Sequence, residues 1–179
     1  MIIQGKIDAF FRNVKYIASN LNMPCILLNV HNWNPDQQGI LQINNGGHNP
    51  HITLFQTPSP WDSEKLIDIG SKVLKTLFLE HPNTTFLLTP ENASISSFLH
   101  ERSGKNRYDV LLNLRPDDQE LIQKLRKIVL DFAGPNEKLN MLPPHVTHSI
   151  HWSEEEALAT LQDLKLKLPI QISIHGFTI

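Results

Sequence analysis

Two short stretches of the chain set an imidazole and a hydroxyl two residues apart: His51-Ile52-Thr53 and His145-Val146-Thr147. Side chains alternate along a β-strand, so in each stretch the histidine and the threonine share one face while Ile52 or Val146 takes the other. Histidine changes protonation near neutral pH, and a threonine hydroxyl is a neutral hydrogen-bond donor. Two such strands side by side bring together two proton carriers and two donors. Phosphodiester cleavage needs that set: a base for the nucleophile, an acid for the departing oxygen, and donors for the charge that builds on the nonbridging oxygens.

Three of the nine histidines have Ser or Thr two residues on. The third, His151-Trp152-Ser153, reads as a helix start, because Glu156 follows Ser153 at the spacing of a capping box. The other two share their surroundings as well. Each follows a proline, alternates with apolar residues and precedes a helix N-cap by eight residues, Ser59 in one case and Ser153 in the other. Pro60 and Asp62 reinforce the first cap. A strand-turn-helix unit thus occurs twice, with its histidine in the same place.

Extended by one residue, the stretches read His51-Ile52-Thr53-Leu54 and His145-Val146-Thr147-His148. The pair resembles the H-x-[ST]-hydrophobic signature of the two-histidine (2H) phosphoesterases, a group that includes 2′-5′ RNA ligase-like proteins and cyclic nucleotide phosphodiesterases. The resemblance runs from about Pro24 to Ile179 and departs from the pattern at His148, where an apolar residue is expected. It implies an α+β fold that is bilobal and pseudo-two-fold, with curved, mostly antiparallel sheets, outer helices and a central cleft. His51 and His145 are then catalytic, Thr53 and Thr147 hold phosphate, and neither metal nor other cofactor is needed.

The activity expected on these grounds is metal-independent hydrolysis of 2′,3′-cyclic phosphates or related 2′-linked phosphodiesters, with a nucleotide or RNA end as substrate. The sequence leaves open which histidine is acid and which is base. Cleavage of 2′,5′-linked oligoadenylates and 2′-5′ RNA ligation are the alternatives within the same chemistry. A metal site built from His145, His148 and His151 with His48 and His51 is opposed by strand phase and by the lack of acidic or cysteine ligands nearby. A nucleotide-binding module that has lost its chemistry is opposed by the presence of both histidines and both threonines.

The bulk properties agree with a small substrate. A chain of 179 residues with 40% hydrophobic composition fits one domain, 1–179, and a net charge of −2 gives no general attraction to a long duplex. Cys25 is the only cysteine and forms no internal disulfide, which accords with a reducing compartment. No apolar stretch approaches a membrane span or the core of a signal peptide, so a monomer in the cytoplasm is the expectation.

Positioning the motifs falls to the elements around them. Ile7, Phe10, Phe11, Val14, Ile17, Ala18 and Leu21 describe an amphipathic helix within an added segment, 1–22. Strands are predicted at Cys25 to Val30 and Ile40 to Ile43, with Trp33 in the loop between them as a surface for a base. Phe55 follows His51 by four residues and extends its face, offering a second stacking surface. A helix runs from Pro60 to about Leu79, and strands follow at Phe86 to Leu88, Ala93 to Phe98 and Tyr108 to Leu114, with Tyr108, at the start of the last, a candidate to contact substrate. Between these last two strands, Glu101 to Arg107 is the most basic short stretch, and Arg102, Lys105 and Arg107 are candidates to engage substrate phosphate. Asp117 opens another helix with Glu120 completing its box, and Leu121, Leu125, Ile128, Val129 and Phe132 line its buried side. Past His145, strand phase places Ser149 and His151 on the catalytic face and turns His148 and Ile150 away. A helix from Glu154 to about Leu166 and a strand from Ile170 complete the pattern.

Overall fold

The computed structural model describes residues 25–32, 34, 37, 40–41, 50–56, 63–80, 84–133 and 142–178. The expected N-terminal helix, Trp33, the glycine-rich loop before His51 and the Ser59 cap lie outside them.

Seven strands and three helices follow one another in these residues. They are β1 (Cys25–His31), β2 (His51–Gln56), α1 (Ser63–Glu80), β3 (Thr85–Leu88), β4 (Ala93–His100), β5 (Lys105–Asn113), α2 (Pro116–Ala133), β6 (His145–His151), α3 (Glu154–Lys167) and β7 (Ile170–Thr178). The strands form one sheet in the order β3-β7-β1-β2-β6-β5-β4, every neighbouring pair antiparallel. The architecture is the α+β arrangement the motifs implied. No helix of the described residues is long and apolar enough to cross a membrane.

The helices show why this sequence forms them. In α1, Ile69, Val73 and Leu77 recur every four residues and are buried. Pro116 opens α2, where its missing N–H costs nothing, and the Arg115 carbonyl accepts from Asp118 and Gln119 in the first turn. The start is thus one residue ahead of Asp117, and Asp118 pairs with Arg115 at 2.9 Å. Ser153 caps α3, its hydroxyl accepting from Glu156 N–H at 3.4 Å, a contact of about 1 kcal/mol that fixes where the chain leaves β6. Ile40 and Leu41 lie in a turn of 3₁₀ helix rather than the expected strand.

One core holds the sheet to the helices. Leu28, Ile52, Val146 and Leu112, one from each of the four central strands, are buried with Ile122, Leu125 and Val129 of α2 and Ala157 and Leu164 of α3. Each of the leucine, isoleucine and valine side chains contributes about 1.5–3 kcal/mol on leaving water. The helical layer therefore lies on the face to which these residues point, and their sequence neighbours, His51, Thr53, His145 and Thr147, point to the opposite face.

Candidate active site

A single residue pair, Ile52 with Val146, registers β2 against β6 at the middle of the sheet. Stepping one residue outward along antiparallel strands sets His51 opposite Thr147 and Thr53 opposite His145. Directly opposed residues have Cβ atoms about 4.5–5.5 Å apart, and diagonal ones roughly 7–8 Å. The two histidines stand on one such diagonal and the two threonines on the other. Each imidazole thus has the other motif's hydroxyl beside it, which is the spacing a phosphate group spans.

Identical frames hold the motifs. On one side of the seam β1 pairs Asn29 with His51, Leu28 with Ile52 and Leu27 with Thr53; on the other, β5 pairs Asn113 with His145, Leu112 with Val146 and Leu111 with Thr147. Val30 N–H donates to Pro50 O at 3.0 Å, and Leu114 N–H to Pro144 O at 2.9 Å. The framing strands carry a repeat of their own, Ile26-Leu27-Leu28-Asn29-Val30 and Val110-Leu111-Leu112-Asn113-Leu114. That repeat was visible in the sequence and identifies the partner of each motif strand, Asn113 included.

Immediately after each threonine the register slips by one. Thr53 faces Leu27 but Phe55 faces Ile26, leaving Leu54 as the extra residue; Thr147 faces Leu111 but Ser149 faces Val110, leaving His148 extra. An extra residue reverses the phase of everything that follows, and this corrects three expectations. Phe55 turns into the core, fully buried, and presents no stacking surface. Ser149 is 5% exposed on the side of Val110, donating to or accepting from His151 Nε2 at 2.9 Å. His151 faces helix α3, its Nδ1 3.8 Å from a Glu156 carboxylate oxygen. The expected substrate contact at Tyr108 is corrected by the alternation of β5 instead: it shares the phase of Val110 and Leu112 and packs on the core from that face, paired with His151. His148 does point away from the histidine pair, and its Nδ1–H donates to Ile40 O at 2.7 Å.

His145 is chemically prepared. Its Nδ1–H donates to the Pro143 carbonyl at 2.7 Å, which leaves the lone pair on Nε2. Burial holds its pKa below the ordinary 6.5, and the Arg126 guanidinium adds to the shift against the opposing pull of the Pro143 carbonyl and the Asp109 carboxylate. At neutral pH the ring is therefore unprotonated.

Arg126 is a residue that motif reading misses. It lies on α2, 4% exposed, donating from Nη1 to Leu142 O at 2.8 Å and from Nη2 to Thr53 O at 3.0 Å. One side chain thus ties the backbone of the first motif to the segment that leads into the second. Burial lowers its pKa. The signal was its position: Arg126 falls on the apolar stripe Ile122-Leu125-Val129, where a cation is out of place unless it has a task.

The structure resembles known folds rather than known sequences. Kluyveromyces marxianus Usb1 superposes over 82% of this chain and 81% of its own, at 13% identity and a TM-score of 0.50. A structure of the same protein with uridine monophosphate gives 12% identity and 0.49 over the same shares. This is the fold of Usb1. The likeness fits the 2H phosphoesterase arrangement that the paired motifs imply. No family model matches the sequence, and no curated protein matches it.

The basic hairpin lies at the far end of the same face as His145, by the alternation of β5. Arg102 and Lys105 are exposed near its tip, where Gly104 takes a positive φ of 64°, a conformation that suits glycine. Arg107 is engaged, bonded to Asp109 at 2.7 Å and lying over the Phe98 ring. Burial raises the pKa of Asp109, against the lowering effect of Arg107. Among the described residues no group of three or more His, Cys, Asp or Glu is placed to hold a metal. His148 and His151 face the helices and His145 the opposite side of the sheet, so these three do not converge.

A hollow of about 460 Å³ adjoins His145. Leu111, Leu114 and Pro143 give it apolar walls, and Asn113, Ser94 and Gln119 polar ones.

Proposed function

We propose that the chain is a phosphodiesterase that acts on nucleotides or RNA ends, opening a 2′,3′-cyclic phosphate or a related 2′-linked phosphodiester with water. One observation carries the reading: the Ile52–Val146 pair sets each motif's histidine beside the other's threonine, on the face turned away from the core.

The roles divide by environment. His145 is the base, because burial and Arg126 favour its neutral form and the Pro143 carbonyl holds the proton on Nδ1. Its Nε2 takes a proton from water as the water oxygen bonds to phosphorus. His51, across the seam, carries the proton that goes to the departing ribose oxygen, and a phosphomonoester remains. Thr53 and Thr147 donate to the nonbridging oxygens as charge grows there, each contributing about 3–4 kcal/mol by comparison with other oxyanion donors. The residues supply a complete acid–base set without a metal, and the fold supports a 2H enzyme.

Turnover of the four nucleoside 2′,3′-cyclic phosphates in excess EDTA, with the product phosphate located, tests the proposal. The expected result is a 2′- or 3′-monophosphate that forms with the wild type and not with His51→Ala or His145→Ala. A folded protein inert on all four, or either variant retaining most of the activity, would overturn it.

A further inference from the structure

The hollow beside His145 is biased in its hydrogen bonding. Asn113 Nδ2 donates to Asn92 O at 2.9 Å and to Ser94 Oγ at 2.8 Å, and Gln119 Nε2 donates to Leu114 O at 2.8 Å. Only the nitrogen of an amide can donate to a carbonyl, so these contacts fix which way both side chains point. Asn113 Oδ1 and Gln119 Oε1 remain as acceptors on side chains that line the hollow, and the exposed Glu91 adds a carboxylate to its lining. Ser94, its oxygen taken by Asn113, keeps a hydroxyl hydrogen to give. Leu111 and Pro143 supply flat apolar contact, and 460 Å³ lies within the range of small-molecule sites. Asn113 stands directly opposite His145 in the sheet, so a ring held here delivers what is attached to it beside the imidazole.

We propose that this hollow takes the nucleobase of the reacting nucleotide and selects for N–H donors on its Watson–Crick edge, with guanine first and uracil last. The assignment rests on the phosphodiesterase reading for the word "reacting" and on the hollow's own chemistry for the order of bases. Guanine offers N1–H and N2–H₂ side by side, which matches a carboxylate and amide oxygens, and its single carbonyl on that edge meets the Ser94 hydroxyl. Adenine and cytosine each bring one amino group. Uracil presents one N–H between two carbonyls, and those carbonyls face oxygens. Closure of a charge-assisted pair with Glu91 separates the extremes by about tenfold or more.

Two measurements keep this distinct from the chemistry. The first is kcat/KM on the four nucleoside 2′,3′-cyclic phosphates, and the second is calorimetric binding of guanosine and uridine 3′-monophosphates; both use the wild type and Glu91→Gln, a change at an exposed turn. Guanosine is expected to exceed uridine about tenfold in both, and Glu91→Gln to reduce that ratio about tenfold. Binding selective for guanosine without turnover would keep the base selectivity and remove the reaction. Turnover with equal binding of the two monophosphates, or a ratio that Glu91→Gln leaves unchanged, would overturn the assignment of the hollow.

Discussion

The halves of the sheet on either side of the Ile52–Val146 seam share a frame and differ in what surrounds it. Both use a Leu-Leu-Asn strand to hold a His-x-Thr strand, both anchor the preceding proline carbonyl, and both slip register at the residue after threonine. The extra residue is Leu54, buried in the core, in one half, and His148, bonded to the Ile40 carbonyl, in the other. In the second half the histidine donates to a proline carbonyl, stands under the influence of Arg126 and lines a hollow. Duplication of a backbone therefore supplies equivalent positions, and the neighbours differentiate them. Acid–base work needs such a difference, since one imidazole must start neutral and the other charged.

The strongest way to break the comparison is to remove the imidazoles one at a time. His51→Ala and His145→Ala should each lower kcat by about 10²–10⁴-fold with unchanged circular dichroism, and steady-state kinetics with the cyclic phosphate would reveal any inequality between the halves. Replacing Thr53 or Thr147 by Val should lower kcat about 10²-fold or more, with little change in KM, because the donors act on charge that develops late. Comparable losses at the two positions would extend the symmetry of the frame to the chemistry.

Arg126→Met sharpens the comparison through pH. The guanidinium helps hold the His145 pKa below 6.5, so its loss lets that value rise and moves the acid limb of the kcat/KM profile to higher pH. A limb that stays in place would show that burial alone sets it. The smallest effect is expected from His148→Leu, which makes the second register slip like the first. The Ile40 carbonyl loses its donor, at about 1–3 kcal/mol at neutral pH. Burial also lowers the pKa of His148; the folded state then binds fewer protons than the unfolded chain below about 6.5, and stability falls as pH drops through that region. Urea unfolding between about pH 5 and 7 should show a shallower decline in the variant, though not a flat one, since His145 is held neutral in the same way.

Much of the fold was legible because alternation and three-to-four spacing survive in the sequence: the strands at Ala93, Tyr108, His145 and Ile170 and the cap at Ser153 all lie within a few residues of where periodicity puts them. The motif faces were legible up to Thr53 and Thr147. Beyond those residues strand phase failed, because a slip of register leaves no mark in alternating polarity: Leu54 and Phe55 are both apolar, and His148 and Ser149 are both polar. Phe55, Ser149 and His151 were misplaced for that reason alone, whereas the alternation of β5 itself sets Tyr108 on the side of Val110 and Leu112. Arg126 carried a signal in its place on an apolar stripe, but its task was not legible there, because the carbonyls of Thr53 and Leu142 that hold it inside lie far apart in sequence.

The place of β7 in the sheet bears on how the molecule comes into being. This strand is made after both β6 and α3, yet it lies between β3 and β1 and pairs with both. As the chain leaves the ribosome, β1 has no outer neighbour until the entire second half has emerged. Domains usually fold in the order of their synthesis; here the half that is begun first is completed last, and loss of a late segment would damage the strand beside His51 rather than the strands next to it in sequence.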